Sequence, residues 1–324
     1  MQIVPKGIKN ILILRNDRFG EFLLNIPALR ALKETFNNSR IIALVDPYVK
    51  DLAQSISFID EVIEWRRQEH SLIEKLRLIN LLKRKNINIA IMLNPSKELN
   101  ILTFLSGIPI RVGYARKLGF LLTHKMEDKK YLGQKHEVEY NLELVSLVGA
   151  KTDNKSLSLT IDNNVSKELN IENSDNLVAL HPWTSDPIKQ WPEKNFYELG
   201  KRLIKELNMK VVVIGGKEES GKSAELFNNF DINLNNIAGK TTLKQLAAIL
   251  KKCKLLVSCD SGPMHLACAV GTPVIAIFRN DIIGKSPKRW GPWGKEHSVT
   301  EKNNLFEISV DEVFNKIKEK LLRK

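Results

Sequence analysis

Residues 255 to 278, LLVSCDSGPMHLACAVGTPVIAIF, constrain the fold of this chain more than any other stretch. Leu255 to Cys259 and Val274 to Phe278 are apolar on successive positions rather than alternating, which is the pattern of parallel strands covered on both faces. Between them lie a polar loop (Asp260-Ser261-Gly262-Pro263), a short helix of small residues (Met264 to Val270) and a Gly-Thr-Pro turn. This is a βαβ unit, and its loop presents free N–H groups and the positive end of a helix dipole to an anion. The plainer alternative is that Asp260 and Ser261 only cap the helix.

The rest of the chain repeats the theme. Ile8 to Leu14 reads as a strand that delivers Arg15-Asn16-Asp17-Arg18-Phe19-Gly20-Glu21 to a helix over Phe22 to Phe36, in which Pro27 marks either a kink or the true first turn. Strands follow at 40 to 45, 61 to 65 and 87 to 93, with helices at 49 to 55, 71 to 84 and 136 to 148. After a polar stretch holding one strand-like piece, 156 to 161, a second series begins: strands at 176 to 181, 210 to 215 and 236 to 237, and helices at 193 to 207, 220 to 227 and 242 to 251. The sequence closes with an amphipathic helix over 310 to 322. Such alternation predicts α/β domains with doubly wound parallel sheets whose ligands lie beyond the carboxyl ends of the strands. The domains expected are 1–160, a linker at 161–175, 176–304, and a terminal segment 305–324 packing back on the N-terminal domain.

With 324 residues, two such domains are comfortable. No apolar run approaches membrane-spanning length and no signal peptide is evident, so a cytoplasmic location is expected. Cys253, Cys259 and Cys268 lie in apolar context without a CxxC pair, which suits buried packing in a reducing compartment. The net charge of +13 admits nucleic acid, an anionic membrane or phosphorylated substrates as partners, but it is spread over both halves, with 23 Lys and Arg against 16 Asp and Glu in residues 1 to 150. The basic and aromatic stretch 111–136 is a candidate surface for phosphates or headgroups, or else a solvated loop.

Two loops compete for a nucleotide. Gly216 to Ser223 satisfies the P-loop pattern GxxxxGK(S/T) after a strand, but Glu218 and Glu219 would put negative charge inside the phosphate cradle. The loop from His181 to Pro192 offers Thr184, Ser185 and Lys189, two hydroxyls and an ammonium suited to a diphosphate.

Taken together, R-x-D-R-x-G-(D/E)-x(5)-P-A-L-x-A-L near the N-terminus, the K-x-W-P loop at Lys189, and D-S-G-x-x-H-x-A-x-A-x-G-T-P from Asp260 resemble glycosyltransferase family 9, the lipopolysaccharide heptosyltransferases. The resemblance implies the GT-B architecture, two Rossmann-like domains facing each other across a cleft, and inverting transfer of heptose from a nucleotide-heptose, usually ADP-heptose, to inner-core lipopolysaccharide. Position by position, it makes Thr184, Ser185, Lys189, Asp260, Ser261, Gly262 and His265 donor contacts and places Glu218 or Glu219 near the donor's sugar hydroxyls; His265 could equally be a structural histidine. Glu21 falls where the family usually has Asp as general base, a change that keeps the carboxylate and lengthens its reach. Arg279 stands where the family often has Gly. Lys189 serves catalysis by holding leaving-group charge, and Arg15, Arg18, Arg116 and Lys117 are candidate acceptor contacts.

No DxD occurs, so the expected reaction needs no metal or other cofactor. Expected partners are the nucleotide-sugar donor and a phosphorylated glycolipid, with peripheral contact at the inner membrane, no nucleic acid, and a monomeric state. A P-loop ATPase or kinase, a nucleic-acid-binding protein, and a nucleotide-sugar binder without catalysis remain as alternatives.

Overall fold

The computed structural model describes residues 4–162, 176–227 and 234–322. The chain divides into two compact units, Met1–Ser156 and Leu157–Lys324. The linker expected at 161–175 lies mostly outside the described residues. The chain leading into it belongs to the second unit: Leu157, Leu159 and Ile161, the first linker residue, are buried, and the Leu159 N–H donates to the Ala269 carbonyl at 2.9 Å. This stretch is extended but pairs with no strand among the described residues, so the boundary falls a few residues earlier than expected.

In the first unit the strands are β1 (Asn10–Leu14), β2 (Arg40–Val45), β3 (Glu61–Glu64), β4 (Ile89–Met92), β5 (Ile110–Tyr114) and β6 (His124–Met126). They form a parallel sheet in the order β3-β2-β1-β4-β5-β6. The helices are α1 (Phe19–Leu23), α2 (Ile26–Thr35), α3 (Lys50–Ala53), α4 (Leu72–Arg84), α5 (Lys97–Leu105) and α6 (Glu137–Ser146). Leu78, Ile79 and Leu82 of α4 and Leu99 and Leu102 of α5 pack with Leu12, Leu14, Ile42 and Leu44 from the strands. Ser71 starts α4 with a capping box to Glu74.

The single helix expected over 22 to 36 is two. The Asn25 amide donates to the carbonyls of Glu21 and Phe22, both at 2.9 Å, which ends α1, and Pro27 then sits in the first turn of α2, where its missing N–H costs nothing.

In the second unit the strands are β7 (Leu177–His181), β8 (Lys210–Val213), β9 (Leu234–Asn236), β10 (Leu255–Cys259), β11 (Val274–Arg279) and β12 (Ser298–Lys302), and the helices are α7 (Glu193–Leu207), α8 (Ser220–Phe227), α9 (Leu243–Lys252), α10 (Gly262–Ala269), α11 (Pro287–Trp290) and α12 (Val310–Leu322). The sheet order, β12-β11-β10-β7-β8-β9, is that of the first unit repeated. In both, the order reverses beside the first strand, so the crevice at its carboxyl end, between β1 and β4 and between β7 and β10, is where a doubly wound sheet binds its ligand. Each unit is an α/β fold of Rossmann type, with a doubly wound parallel sheet.

The terminal helix corrects the expectation that it returns to the N-terminal domain. Val313, Phe314 and Ile317 of α12 are buried in the core of the second unit with Phe196, Leu199 and Leu203 of α7, and the Arg202 guanidinium stacks 3.9 Å over the Phe314 ring. Cys253, Cys259 and Cys268 are buried, as expected, and burial pushes their thiols up, Cys259 and Cys268 to about 12. Among the described residues, no helix is long and apolar enough to cross a membrane.

Candidate functional site

At the switch point of the first sheet a buried guanidinium organises three carboxylates. Arg15 follows β1 directly, and its Nη1 donates to the carbonyl of Leu93, just past β4, at 3.1 Å, bridging the two strands. Its Nε donates to Asp17 Oδ1 at 2.7 Å, its Nη2 to Glu21 Oε2 at 3.2 Å, and Glu137 Oε1 lies 3.7 Å from Nη1. Burial works against the charge on Arg15, yet Asp17, Glu137 and Glu21 together hold its proton more tightly than usual. Glu137 also accepts from the Lys130 ammonium at 2.5 Å, and that ammonium lies 4.6 Å from the centre of the Tyr114 ring.

Exposure separates the three acids. The side chains of Asp17 and Glu137 are 4% and 2% exposed, whereas Glu21, on the first turn of α1, keeps 26% while joined to the cluster through Arg15. Burial, a hydrogen bond shared with Asp17 and the Asp17 charge raise the Glu21 carboxyl to about 7, against the pull of Arg15 and Arg18. A carboxylate that exchanges its proton near neutral pH and is open on one side is suited to general-base work.

The expected acceptor contacts divide. Arg18 is exposed at the N-cap of α1. Arg15 is buried and its N–H groups are committed within the protein, to Asp17, Glu21 and the Leu93 carbonyl, so it lies behind Glu21 and away from solvent. Arg116 is exposed and pairs with Asp128 at 2.7 Å, while Lys117 reaches the Pro95 carbonyl at 3.0 Å. Much of the basic stretch 111–136 is committed in this way: Arg111 holds the carbonyls of Leu121 and Ile108, Lys135 pairs with Glu143, and Lys130 is buried. Two short strands, β5 and β6, run through it where a loop was one of the two readings.

At the switch point of the second sheet the structure brings together two loops far apart in sequence. The Lys189 ammonium pairs with the Asp260 carboxylate. Trp191, fully buried, anchors the first loop: its backbone N–H reaches Cys259 Sγ at 3.3 Å and its indole N–H donates to the Ile308 carbonyl at 2.9 Å. Ser261 occupies the N-cap of α10 without a side-chain cap bond, which corrects the plain capping alternative. Its hydroxyl lies instead 2.8 Å from that of Ser258 and 3.1 Å from His181 Nδ1. Burial lowers His181 to about 4, so at neutral pH it is an uncharged partner for both hydroxyls. His181 and Ser258 were absent from the expected site, although His181 opens the loop that was singled out.

Gly262 begins α10 in the crevice, and His265 is buried within that helix. Thr184 is half-buried and its hydroxyl donates to the Asp186 carbonyl at 2.6 Å; Ser185 is exposed beside it. Arg279 is held by Asp281 at 2.5 Å.

The loop after β8 does not make a phosphate cradle. The Glu219 carboxylate accepts the Gly216 N–H, filling one of the backbone donors that a phosphate would need. Ser223, the residue a P-loop turns toward magnesium, is fully buried and donates to Asn236 Oδ1 at 2.8 Å. This overturns the P-loop alternative, and leaves Glu218 as the exposed acid of the loop. Among the described residues no group of three or more His, Cys, Asp or Glu side chains gathers as for a metal ion.

Comparison with known proteins accords with this geometry. The family model for glycosyltransferase family 9 (heptosyltransferase) matches residues 75–313. Lipopolysaccharide heptosyltransferase 2 of Salmonella typhimurium is 25% identical over 293 residues, covering 83% of this chain and 82% of that protein. The structure of E. coli ADP-heptose lps heptosyltransferase II superposes with a TM-score of 0.84 at 21% identity, covering 98% of this chain and 99% of that one. E. coli heptosyltransferase WaaC with ADP does so with a TM-score of 0.78 at 20% identity, covering 96% and 99%. Two matching Rossmann-like units, each with its polar cluster at the switch point, and a family match over most of the length lead to one conclusion: the chain belongs to glycosyltransferase family 9, the heptosyltransferase family, and is a glycosyltransferase.

Proposed function

We propose that this enzyme transfers a heptose from ADP-heptose to an inner-core lipopolysaccharide acceptor with inversion, in a single displacement that needs no metal. The observation that carries the reading is the half-open Glu21 carboxyl, raised to about 7 beside Asp17 at the first switch point. Its ionised form takes the proton from the acceptor hydroxyl as that oxygen attacks the anomeric carbon opposite the diphosphate. One base suffices for such a displacement, unlike the paired carboxylates of a retaining reaction. Arg15 and Asp17 act as positioning residues for Glu21.

On the second unit, Lys189 exchanges its partner Asp260 for the donor diphosphate, and Thr184, Ser185, Ser261 and the start of α10 at Gly262 receive the charge that grows on the departing nucleotide. Glu218 faces the donor's sugar hydroxyls, with Glu219 shaping the loop, and His265 packs behind the donor loop. Arg18, Arg116 and Lys117 meet phosphate groups of the acceptor. The names of the relatives, heptosyltransferases and one structure with ADP, supply the sugar and nucleotide. The acceptor is a phosphorylated glycolipid, so the enzyme works in the cytoplasm as a monomer, peripherally at the inner membrane, with no nucleic-acid partner. Incubation with ADP-heptose and inner-core lipopolysaccharide in EDTA tests the proposal: one heptose is added per acceptor by mass, and an acceptor left unchanged with ADP-heptose but extended with another nucleotide-sugar overturns the donor assignment.

A further inference from the structure

Exposed apolar side chains and net positive charge coincide on one part of the first unit. Residues 72 to 134 carry 12 Lys and Arg against 4 Asp and Glu, while the remainder of residues 1 to 150 carries 11 against 12, so the positive charge of this half resides in that segment alone. The same segment exposes large apolar groups: Leu72, Ile73 and Leu76 on α4 are 72%, 62% and 50% exposed, Phe104 and Leu105 on α5 are 47% and 50%, and Phe120 is 73%.

Contacts link the three elements. The inner faces of α4 and α5 pack in one core cluster over the same sheet, and Lys75 of α4 lies 3.6 Å from Glu98 of α5. The Arg111 guanidinium stacks 5.3 Å from the centre of the Phe104 ring and holds the Leu121 carbonyl at 2.8 Å, next to Phe120. The cations Arg77, Arg84, Lys97 and Lys125 of the same segment are exposed. Protein–protein interfaces have apolar centres depleted of Lys, with charge at the rim. Here the exposed side of α4 carries Leu72, Ile73, Leu76 and Leu81 with Arg77, Lys83 and Arg84, and α5 opens on Lys97 before Ile101, Phe104 and Leu105, a mixture suited to the headgroup region, with apolar groups inserted and long basic side chains reaching phosphates.

We propose that the outer surface of α4 and α5, together with the turn at Phe120, is a membrane-docking face for anionic lipid bilayers. It deepens the reading of a lipid-borne acceptor, and vesicle binding needs neither sugar nor nucleotide, so its failure leaves the transfer reaction untouched.

The test is flotation of the full chain with vesicles of phosphatidylcholine alone or with about one-third phosphatidylglycerol. The protein is expected to float with the anionic vesicles and not with the neutral ones. Each basic residue near an anionic surface contributes roughly a fivefold effect, so R77E/R84E/K97E should lose binding more than tenfold at unchanged melting temperature. The equally charged control K194E/K205E/K254E on the second unit should float like wild type. F104S/F120S should weaken binding several-fold, the mark of insertion rather than simple adsorption. Absence of flotation by the wild-type chain, or equal loss in both charge-reversal triples, overturns the proposal. So does a wild-type dimer that F104S/F120S converts to monomer, which would make the surface an interface between copies.

Discussion

Asp17, two residues before α1, and Glu21 in its first turn share a hydrogen bond beneath a single guanidinium, Arg15, which lies 2.7 Å from the first and 3.2 Å from the second. Burial, with the hydrogen bond and the charge of Asp17 beside it, raises the half-open Glu21 carboxyl to about 7 against the pull of Arg15.

Asp17→Asn removes a neighbouring negative charge and should lower the proton affinity of Glu21. The rising limb of kcat/KM against pH, expected near 7 in the wild-type enzyme, should move toward lower pH, with a lower plateau because the base is weaker. A limb that stays in place would separate Asp17 from the base.

Glu21 also makes a stability prediction of definite sign. Its carboxyl is about 7 in the fold and near the ordinary 4.3 when unfolded. The folded state therefore binds more protons between those values, and stability falls as pH rises through them. Glu21→Gln cannot ionise and should melt no lower than wild type at pH 8, on the order of 1–3 kcal/mol more stable, with the difference gone below about pH 4. Denaturant unfolding at both pH values measures it.

Arg15→Met leaves Asp17 and Glu137 buried without their shared cation. The loss should be about 3–5 kcal/mol in urea unfolding, as for a broken buried ion pair. Arg15→Lys should recover only part of this, because an ammonium cannot serve both carboxylates and the Leu93 carbonyl in one plane.

Lys189→Ala should lower the transfer rate about 10²–10³-fold, the usual loss on removing one charge-stabilising donor. It should also abolish stabilisation of the protein by ADP without magnesium. Lys222→Ala should leave both unchanged, since the Gly216 loop is closed by Glu219 and Ser223 is buried. Thermal shifts of the two variants with ADP decide between the loops.

Much of this was legible in the sequence, for reasons visible in particular residues. Continuous apolar runs gave away β7, β10 and β11, and α7 and α12 have wide apolar stripes with clear ends. Other elements were hidden. In α5 the apolar residues extend onto the solvent side, at Phe104 and Leu105, so no helical face stands out. β5 and β6 are masked by the basic residues between and within them, and β12 is a polar edge strand. The split between α1 and α2 depends on the Asn25 side chain finding two carbonyls, which spacing does not show.

Within the site, Lys189 and Asp260 stood out as motif residues, but their pairing is a tertiary fact. Asp17 was present in the N-terminal motif and its partnership with Glu21 was not, because only the turn into α1 brings them together. The Lys130–Glu137 pair that backs Arg15 gives no signal at all, since a buried cation looks like any other in a basic run.

The most direct test is the rate of heptose transfer from ADP-heptose by Glu21→Gln at pH 8, with ADP binding measured on the same preparation. A loss of at least about 10²-fold is expected, at the low end for a general base, with ADP affinity unchanged. Transfer at a rate near wild type would contradict the role of Glu21 as general base and move the base elsewhere.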